Sequence, residues 1–129
     1  MQKMFAIASR ESVTGFVITS GYRTKEKQKE IYNNAKKGQA AKPGESEHET
    51  GLAFDVMTTD SRMKFENTFQ FKWMAQNCAK YGFILRYPKG KESITGFPFE
   101  PWHFRYVGLP HSEAIIENGI TLEEYLGAI

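Results

Sequence analysis

Short runs of β-branched and aromatic residues recur along the 129-residue chain, separated by polar segments that contain glycine and proline. Such runs are typical of strands, and Gly or Pro marks their ends. The chain is expected to enter almost directly into the first run, which we interpret as a buried strand. The four predicted strands are residues 16–19, 52–57, 83–87 and 102–107.

The region between the first two strands is polar and is predicted to hold one helix and one long loop. Thr24 is a good N-cap for a helix over residues 25–37, and Gly38 is placed to end it. Residues 39–50 are rich in polar residues and are interpreted as a loop that delivers His48.

Capping residues predict further helices in the second half of the chain. Asn67, followed three residues later by Gln70, resembles a capping box and opens a helix that stops before Gly82. Ser112 and Thr121 can cap two short closing helices. Strands and helices together predict an α+β fold, a small antiparallel sheet with helices packed against it.

Composition favours one compact domain over residues 1–129. The chain is 40% hydrophobic and 14% aromatic, which suffices for a core at this length. Seventeen basic and fifteen acidic residues leave a net charge of +2, too small to indicate a nucleic-acid or membrane-surface partner. The single cysteine, Cys78, excludes an internal disulfide, and no apolar run is long enough for a signal peptide or a membrane span.

The candidate chemistry is concentrated in two segments, SEHETGLAFD at residues 46–55 and EPWHFRY at residues 100–106. They contain two of the three histidines of the chain. His48, Asp55 and His103 offer two imidazoles and one carboxylate. This set suits a zinc site that keeps its fourth position open for water.

Glu100 is the candidate base for such a water. In a regular strand it would face away from His103, but Pro101 favours a local bend that brings both side chains to one site. Alternation places His103 and Arg105 on the same strand face. Zinc lowers the pKa of water, and Glu100 would accept its proton during attack on a peptide carbonyl. Arg23 is a candidate for a two-point contact with a carboxylate or for bracing the oxyanion.

Four motifs occur in order along the chain: SGYR at 20–23, SxHxxGxAxD at 46–55, YGFILRYP at 81–88 and EPWHxRYVG at 100–108. They resemble those of the VanY-type D-alanyl-D-alanine carboxypeptidases of peptidase family M15, subfamily B. The resemblance covers residues 16–126 and implies the M15 and hedgehog-like peptidase fold with a zinc site in a cleft.

The resemblance also implies an activity: zinc-dependent removal of the C-terminal D-Ala from peptidoglycan stem peptides. The implied partners are these peptides and not nucleic acid or membrane, and the implied state is a monomer. The implied site residues are His48, Asp55 and His103 as zinc ligands, Glu100 as catalytic base, Arg23 as catalytic and substrate-orienting residue, and Ser46 and Gln28 as further substrate-binding residues.

Three other interpretations stay open. Some relatives cut the L,D bond of a tetrapeptide stem and share the same motifs. A metal-bearing cell-wall binding module without catalysis is a second alternative, although an unligated base has no use in it. A metal-independent polymer binder rests only on the lysines. Since peptidoglycan lies outside the cytoplasm, we interpret the chain as the catalytic domain of a longer protein of the cell envelope or exterior.

Overall fold

The computed structural model describes residues 1–128 and confirms the α+β architecture. The strands are β1 (Phe16–Ser20), β2 (Ala53–Thr58), β3 (Phe83–Leu85) and β4 (His103–Tyr106). They form one antiparallel sheet in the order β1–β2–β4–β3, so β2 and β4 are its central strands. Each strand begins and ends within two residues of its predicted bounds.

Helices pack against this sheet and connect its strands. The described α-helices are α1 (Gln2–Arg10), α2 (Lys25–Asn34), α3 (Phe69–Asn77), α4 (Glu92–Thr95), α5 (His111–Glu117) and α6 (Leu122–Leu126). Short 3-10 helices cover Glu47–Thr50, Phe65–Asn67 and Cys78–Tyr81. Among the described residues, no helix is both long and apolar enough to cross a membrane.

The N-terminal helix α1 was not predicted, and the expectation that the chain enters almost directly into β1 is wrong. Met4 and Ala8 lie four residues apart on one face of α1 and are completely buried in the core. No side chain caps the start of α1, so the usual signal for a helix N-terminus is missing.

The prediction of a buried first strand is also wrong. β1 is an edge strand, and Val17 and Ile18 are each 40% exposed. The core lies instead against the central strands, where Phe54, Val56 and Phe104 are buried. Apolar composition predicts that a run is a strand but does not tell which place it takes in the sheet.

Helix α2 begins as predicted but ends earlier. Thr24 Oγ1 accepts a hydrogen bond from Lys27 N at 3.1 Å and caps the helix. The helix ends at Asn34, because Ala35 is already extended, so Gly38 does not end it. The segment that follows turns back along α2, where Ala41 O accepts a hydrogen bond from a side chain of the helix.

The capping box proposed for α3 is wrong by one residue. Thr68 caps this helix instead of Asn67, and its Oγ1 accepts from Phe71 N at 3.1 Å. The Gln70 side chain donates to Thr14 O at 2.9 Å and so anchors α3 to the segment before β1.

The two closing helices differ in how they begin. Ser112 does not cap α5, which starts after Pro110. Ser112 is fully buried, and its hydroxyl donates to Ala79 O at 2.7 Å. Thr121 caps α6 as predicted and forms a capping box with Glu124.

Candidate active site

Strand register brings the candidate ligands of the two central strands together. Asp55 on β2 lies directly opposite His103 on β4 in the antiparallel ladder. A register shift in the pairing of β1 with β2 places Ser20 opposite Asp55. Side chains opposite one another share a sheet face, and this face forms one wall of a cleft.

His48 reaches the same face from the 3-10 helix Glu47–Thr50. Ser46 caps this helix, because its hydroxyl accepts from His48 N at 3.3 Å while the Glu49 carboxylate accepts from Ser46 N at 3.2 Å. Gly51 ends the helix with a φ of 75°, the left-handed region that glycine tolerates, and turns the chain into β2. The predicted loop thus delivers His48 from a capped helical turn.

The three candidate ligands meet around one point. His48 Nδ1 lies 2.9 Å from Gly21 O, and a carbonyl oxygen can only accept, so Nδ1 carries the hydrogen and Nε2 keeps a free lone pair. Asp55 Oδ1 lies 3.2 Å from His48 Nε2 and 3.0 Å from His103 Nδ1. Ligands about 2.1 Å from a tetrahedral zinc would be about 3.4 Å apart. Both distances from Asp55 are close to this value, and all three donor atoms lie within 4.8 Å of one another, so the residues present fit zinc.

Glu100 lies beside this group, as the predicted bend requires. His103 N donates to Glu100 O at 3.2 Å in a tight turn around Pro101, and Glu100 Oε2 comes within 3.9 Å of His103 Nδ1. Burial raises the pKa of Glu100 to about 7, and the nearby Asp55 charge adds to this shift against the attraction of His103. A carboxyl group with such a pKa can both accept and release a proton near neutral pH.

The electrostatics of the ligands reflect their close packing. Burial alone would raise the pKa of Asp55, but its close contacts with the rings of His103 and His48 outweigh burial and lower this pKa to about 2. Burial alone would lower the pKa of His103, but its hydrogen bonds to Asp55 and Glu47 raise it to about 9. The two shifts have one cause, because a carboxylate beside an imidazole stabilises the charged form of each group.

Arg23 approaches from the opposite wall, just before α2. Its Nη1 donates to Gln28 Oε1 at 2.7 Å and its Nη2 donates to Ser20 Oγ at 2.6 Å. Gln28 is 1% exposed, and its Nε2 donates to Ala41 O at 2.7 Å. These hydrogen bonds hold Arg23 and the segment after α2 in place, and the predicted substrate contact of Gln28 stays a prediction.

The remaining cleft surface is largely apolar. Ser46 lines it, but the Ser46 hydroxyl is engaged as a helix cap, and its predicted substrate contact stays a prediction. The Tyr87 ring lies against the His103 ring, with centroids 5.0 Å apart. Other lining residues are Ile31, Gln39, Ala40, Ala41, Phe97 and Trp102.

Sequence reasoning passed over Glu47, which stands between Ser46 and His48. Its Oε1 lies 3.1 Å from His103 Nε2, and its other oxygen accepts from Arg86 and Arg105. Burial opposes ionisation, yet these three partners hold the pKa of Glu47 to about 2. The position of this acidic residue directly before the candidate ligand His48 is the sequence signal that could have identified it.

The architecture is that of the M15 peptidases, and the His–Asp–His group is compatible with a metal site. The chain superimposes on the LdcB LD-carboxypeptidase with a TM-score of 0.89 and 43% identity, covering 98% of this chain and 64% of that one. It superimposes on a mutant of the vancomycin resistance D,D-pentapeptidase VanY, in complex with Zn(II), with a TM-score of 0.83 and 36% identity. That alignment covers 97% of this chain and 78% of the other.

Sequence comparison names the family. The family model for VanY, D-alanyl-D-alanine carboxypeptidase, matches residues 1–109, and the chain belongs to this family. A D-alanyl-D-alanine carboxypeptidase of Enterococcus faecium is 45% identical over 119 residues, which cover 92% of this chain and 39% of the relative. The chain spans about half the length of the curated relatives it matches.

Proposed function

We propose that this chain is a zinc-dependent D,D-carboxypeptidase domain that removes the C-terminal D-Ala from peptidoglycan stem peptides. In this proposal His48, Asp55 and His103 hold the zinc. The observation that carries it is that the donor atoms of these three residues lie within 4.8 Å of one another, beside the mostly buried Glu100. The Zn(II) in the D,D-pentapeptidase VanY supports the choice of metal.

Glu100 would act as the base. When bound, zinc supplies a Lewis acid for the scissile carbonyl and a water of lowered pKa. Glu100 would accept the proton of the attacking water and return it to the nitrogen of the departing D-Ala. Its raised pKa suits both steps, because neither protonation state is strongly favoured near neutral pH.

Arg23 would bind the terminal carboxylate of the peptide. Two of its five N–H donors hold Gln28 and Ser20, which leaves three for a ligand. A guanidinium fixed in this way matches the two oxygens of a carboxylate. Recognition of the free C-terminus would explain why such an enzyme removes a single residue. We further propose that Ser46 contacts the substrate from the cleft wall.

The proposed function also bears on the location of the protein and on its oligomeric state. Because peptidoglycan lies outside the cytoplasm, we propose that the domain acts in the cell envelope or the extracellular space. We also propose that it acts as a monomer, because the predicted catalytic residues all come from one chain. The partner is the stem peptide.

An L,D-carboxypeptidase is the second candidate. It is supported by the LdcB LD-carboxypeptidase, whose TM-score and identity to this chain are higher than those of the D,D-pentapeptidase VanY. Both reactions place a terminal D-Ala carboxylate against Arg23. They differ in the chirality of the preceding residue, which would lie against the apolar wall of the cleft.

Two stem peptides decide between these activities. Zinc-loaded protein is incubated with a pentapeptide ending in D-Ala-D-Ala and, separately, with a tetrapeptide ending in an L-residue followed by D-Ala. Mass spectrometry then shows which peptide loses one alanine. We expect rapid shortening of the pentapeptide and none after treatment with a chelator.

The other outcomes are equally informative. Shortening of the tetrapeptide alone would replace the D,D activity with the L,D activity. Zinc-loaded protein that shortens neither peptide but binds one of them would indicate a non-catalytic binding module. Activity that survives complete removal of zinc would contradict the proposed mechanism.

A further inference from the structure

Glu47 is a mostly buried acid in the cleft, and the proposed reaction does not use it. Its side chain is 11% exposed. Arg86 Nε and Arg105 Nη1 donate to Glu47 Oε2 at 2.7 and 2.6 Å. Glu47 Oε1 faces His103 Nε2 at 3.1 Å. One carboxylate oxygen is thus shared by two guanidinium groups, and the other is directed at a candidate metal ligand.

The two ring nitrogens of His103 face different surroundings. Nδ1 points to the ligand side, 3.0 Å from Asp55 Oδ1 and 3.9 Å from Glu100 Oε2. Nε2 points away from this side to Glu47. A histidine that binds a metal through one nitrogen commonly donates the N–H of the other to a carboxylate, which fixes the tautomer and the ring orientation.

The contacts of Glu47 continue to the C-terminal helix. Arg86 is buried and forms a two-point ion pair with Glu123 on α6, at 2.7 and 2.8 Å. The backbone of Arg86 also donates to His103 O at 3.2 Å. Glu123 lies beyond residues 1–109, the part of the chain that the VanY model matches. Helix α6 lies outside that match, and through Glu123 it contacts Arg86, which in turn donates to Glu47.

A purely structural ion cluster would explain only part of this arrangement. Two arginines and two glutamates balance their charges without any histidine. They do not require Glu47 to turn Oε1 toward His103, away from both arginines. The direction of that oxygen is accounted for by a donor on His103 Nε2.

We propose that Glu47 is a positioning residue that accepts the Nε2 hydrogen of His103 and thereby presents His103 Nδ1 to the metal. Arg86 holds Glu47 in place, and Glu123 holds Arg86. This inference rests on the proposed function for the presence of zinc, but not on the identity of the peptide bond that is cut. It assigns to α6 a part in the metal site.

Nitrogen NMR of zinc-loaded protein labelled with 15N-histidine tests the ring orientation directly. His48 donates through Nδ1 to Gly21 O and is expected to bind zinc through Nε2. His103 is expected to show the opposite pattern, with zinc on Nδ1 and a hydrogen on Nε2. One ring of each kind supports the inference, and two rings bound through Nε2 overturn it.

Zinc affinity tests the contribution of Glu47. Competition with a chromophoric chelator is measured for Glu47→Gln, which keeps the shape of the side chain but removes its charge. We expect zinc affinity to fall about ten- to hundredfold. Glu45→Gln, at an exposed acid two residues away, is the matched control and should bind zinc as the unchanged protein does. Equal affinity in Glu47→Gln and the unchanged protein would overturn the inference.

Glu123→Gln keeps the inference testable if Glu47→Gln does not fold. This variant retains Glu47 and acts only through Arg86, so we expect a smaller loss of zinc affinity than for Glu47→Gln, with the NMR pattern unchanged. If a folded Glu123→Gln binds zinc as tightly as the unchanged protein, the proposed part of α6 in the metal site is wrong. If the protein without substitutions binds no zinc at all, both this inference and the proposed function are contradicted. If it binds zinc through Nε2 of both histidines, only this inference is contradicted.

Discussion

The two walls of the cleft are built in different ways. On one wall Asp55 and His103 stand opposite each other on paired central strands, so backbone register sets their separation. On the other wall Arg23 lies outside regular structure and is held by the side chains of Gln28 and Ser20. We call the first the ligand wall and the second the substrate wall. Pairing of the strands fixes the ligand wall, whereas a few polar side chains hold the substrate wall in place.

The two walls are also joined. His48 Nδ1 donates to Gly21 O, and Arg23 N donates to His48 O at 3.0 Å. Two hydrogen bonds therefore link His48 to the segment that carries Arg23. Substitutions in the ligand wall should abolish metal binding, whereas those in the substrate wall should weaken recognition and leave the metal in place.

The largest effect is expected for His103→Ala on the ligand wall. This variant removes one of three proposed zinc ligands, so zinc affinity should fall by more than the roughly hundredfold that loss of a ligand's hydrogen-bond partner costs. Elemental analysis after dialysis and peptide shortening are the measurements. His111→Ala, at an exposed histidine, is the control. Stoichiometric tight zinc in His103→Ala would show that the ligand wall is wrongly assigned.

A smaller effect is expected for Arg23→Ala on the substrate wall. Zinc content should stay unchanged, while loss of a charge-assisted contact of about 1.5 to 3 kcal/mol lowers kcat/KM by about 10- to 150-fold. The exposed Arg62→Ala serves as the matched control. On a carboxyl-amidated peptide Arg23→Ala and the unchanged protein should perform alike, and an equal loss on both peptides would count against the carboxylate contact.

The smallest effect is expected for Gln28→Leu, which loosens Arg23 without removing it. The change leaves Ala41 O and one Arg23 donor without their partner, which should cost about 1 to 3 kcal/mol of unfolding free energy. We expect KM to rise by less than in Arg23→Ala and kcat to change little. Gln76→Leu on the exposed face of α3 is the control. A loss of zinc in Gln28→Leu would show that the walls are not separable.

Part of the ligand wall was predictable from the sequence, because Glu100, His103 and Arg105 lie within six residues of one another. Strand alternation placed His103 and Arg105 on one face, and both contact Glu47 in the structure. The bend at Pro101 was also predicted, and it brings Glu100 beside His103. The sequence predicted this grouping, and the catalytic and ligand roles of these residues remain proposals.

The features that sequence reasoning missed depend on tertiary contacts. Helix α1 is stabilised by burying Met4 and Ala8 against the rest of the core. Two apolar residues four positions apart do not by themselves indicate such a helix. The exposure of β1 follows from its place at the edge of the sheet, which its composition does not encode. The link from Glu47 to Glu123 through Arg86 joins residues far apart in sequence.

The measurement that tests the central claim most directly is zinc content and turnover in Glu100→Gln. The substitution leaves all three proposed ligands in place but removes the group that would accept the proton of the attacking water. We expect one zinc per chain, as in the unchanged protein, with peptide shortening slowed by about 10²- to 10⁴-fold. Glu92→Gln, at an exposed acid on α4, should keep both zinc and activity. Turnover in Glu100→Gln equal to that of the unchanged protein would contradict the assignment of Glu100 as base.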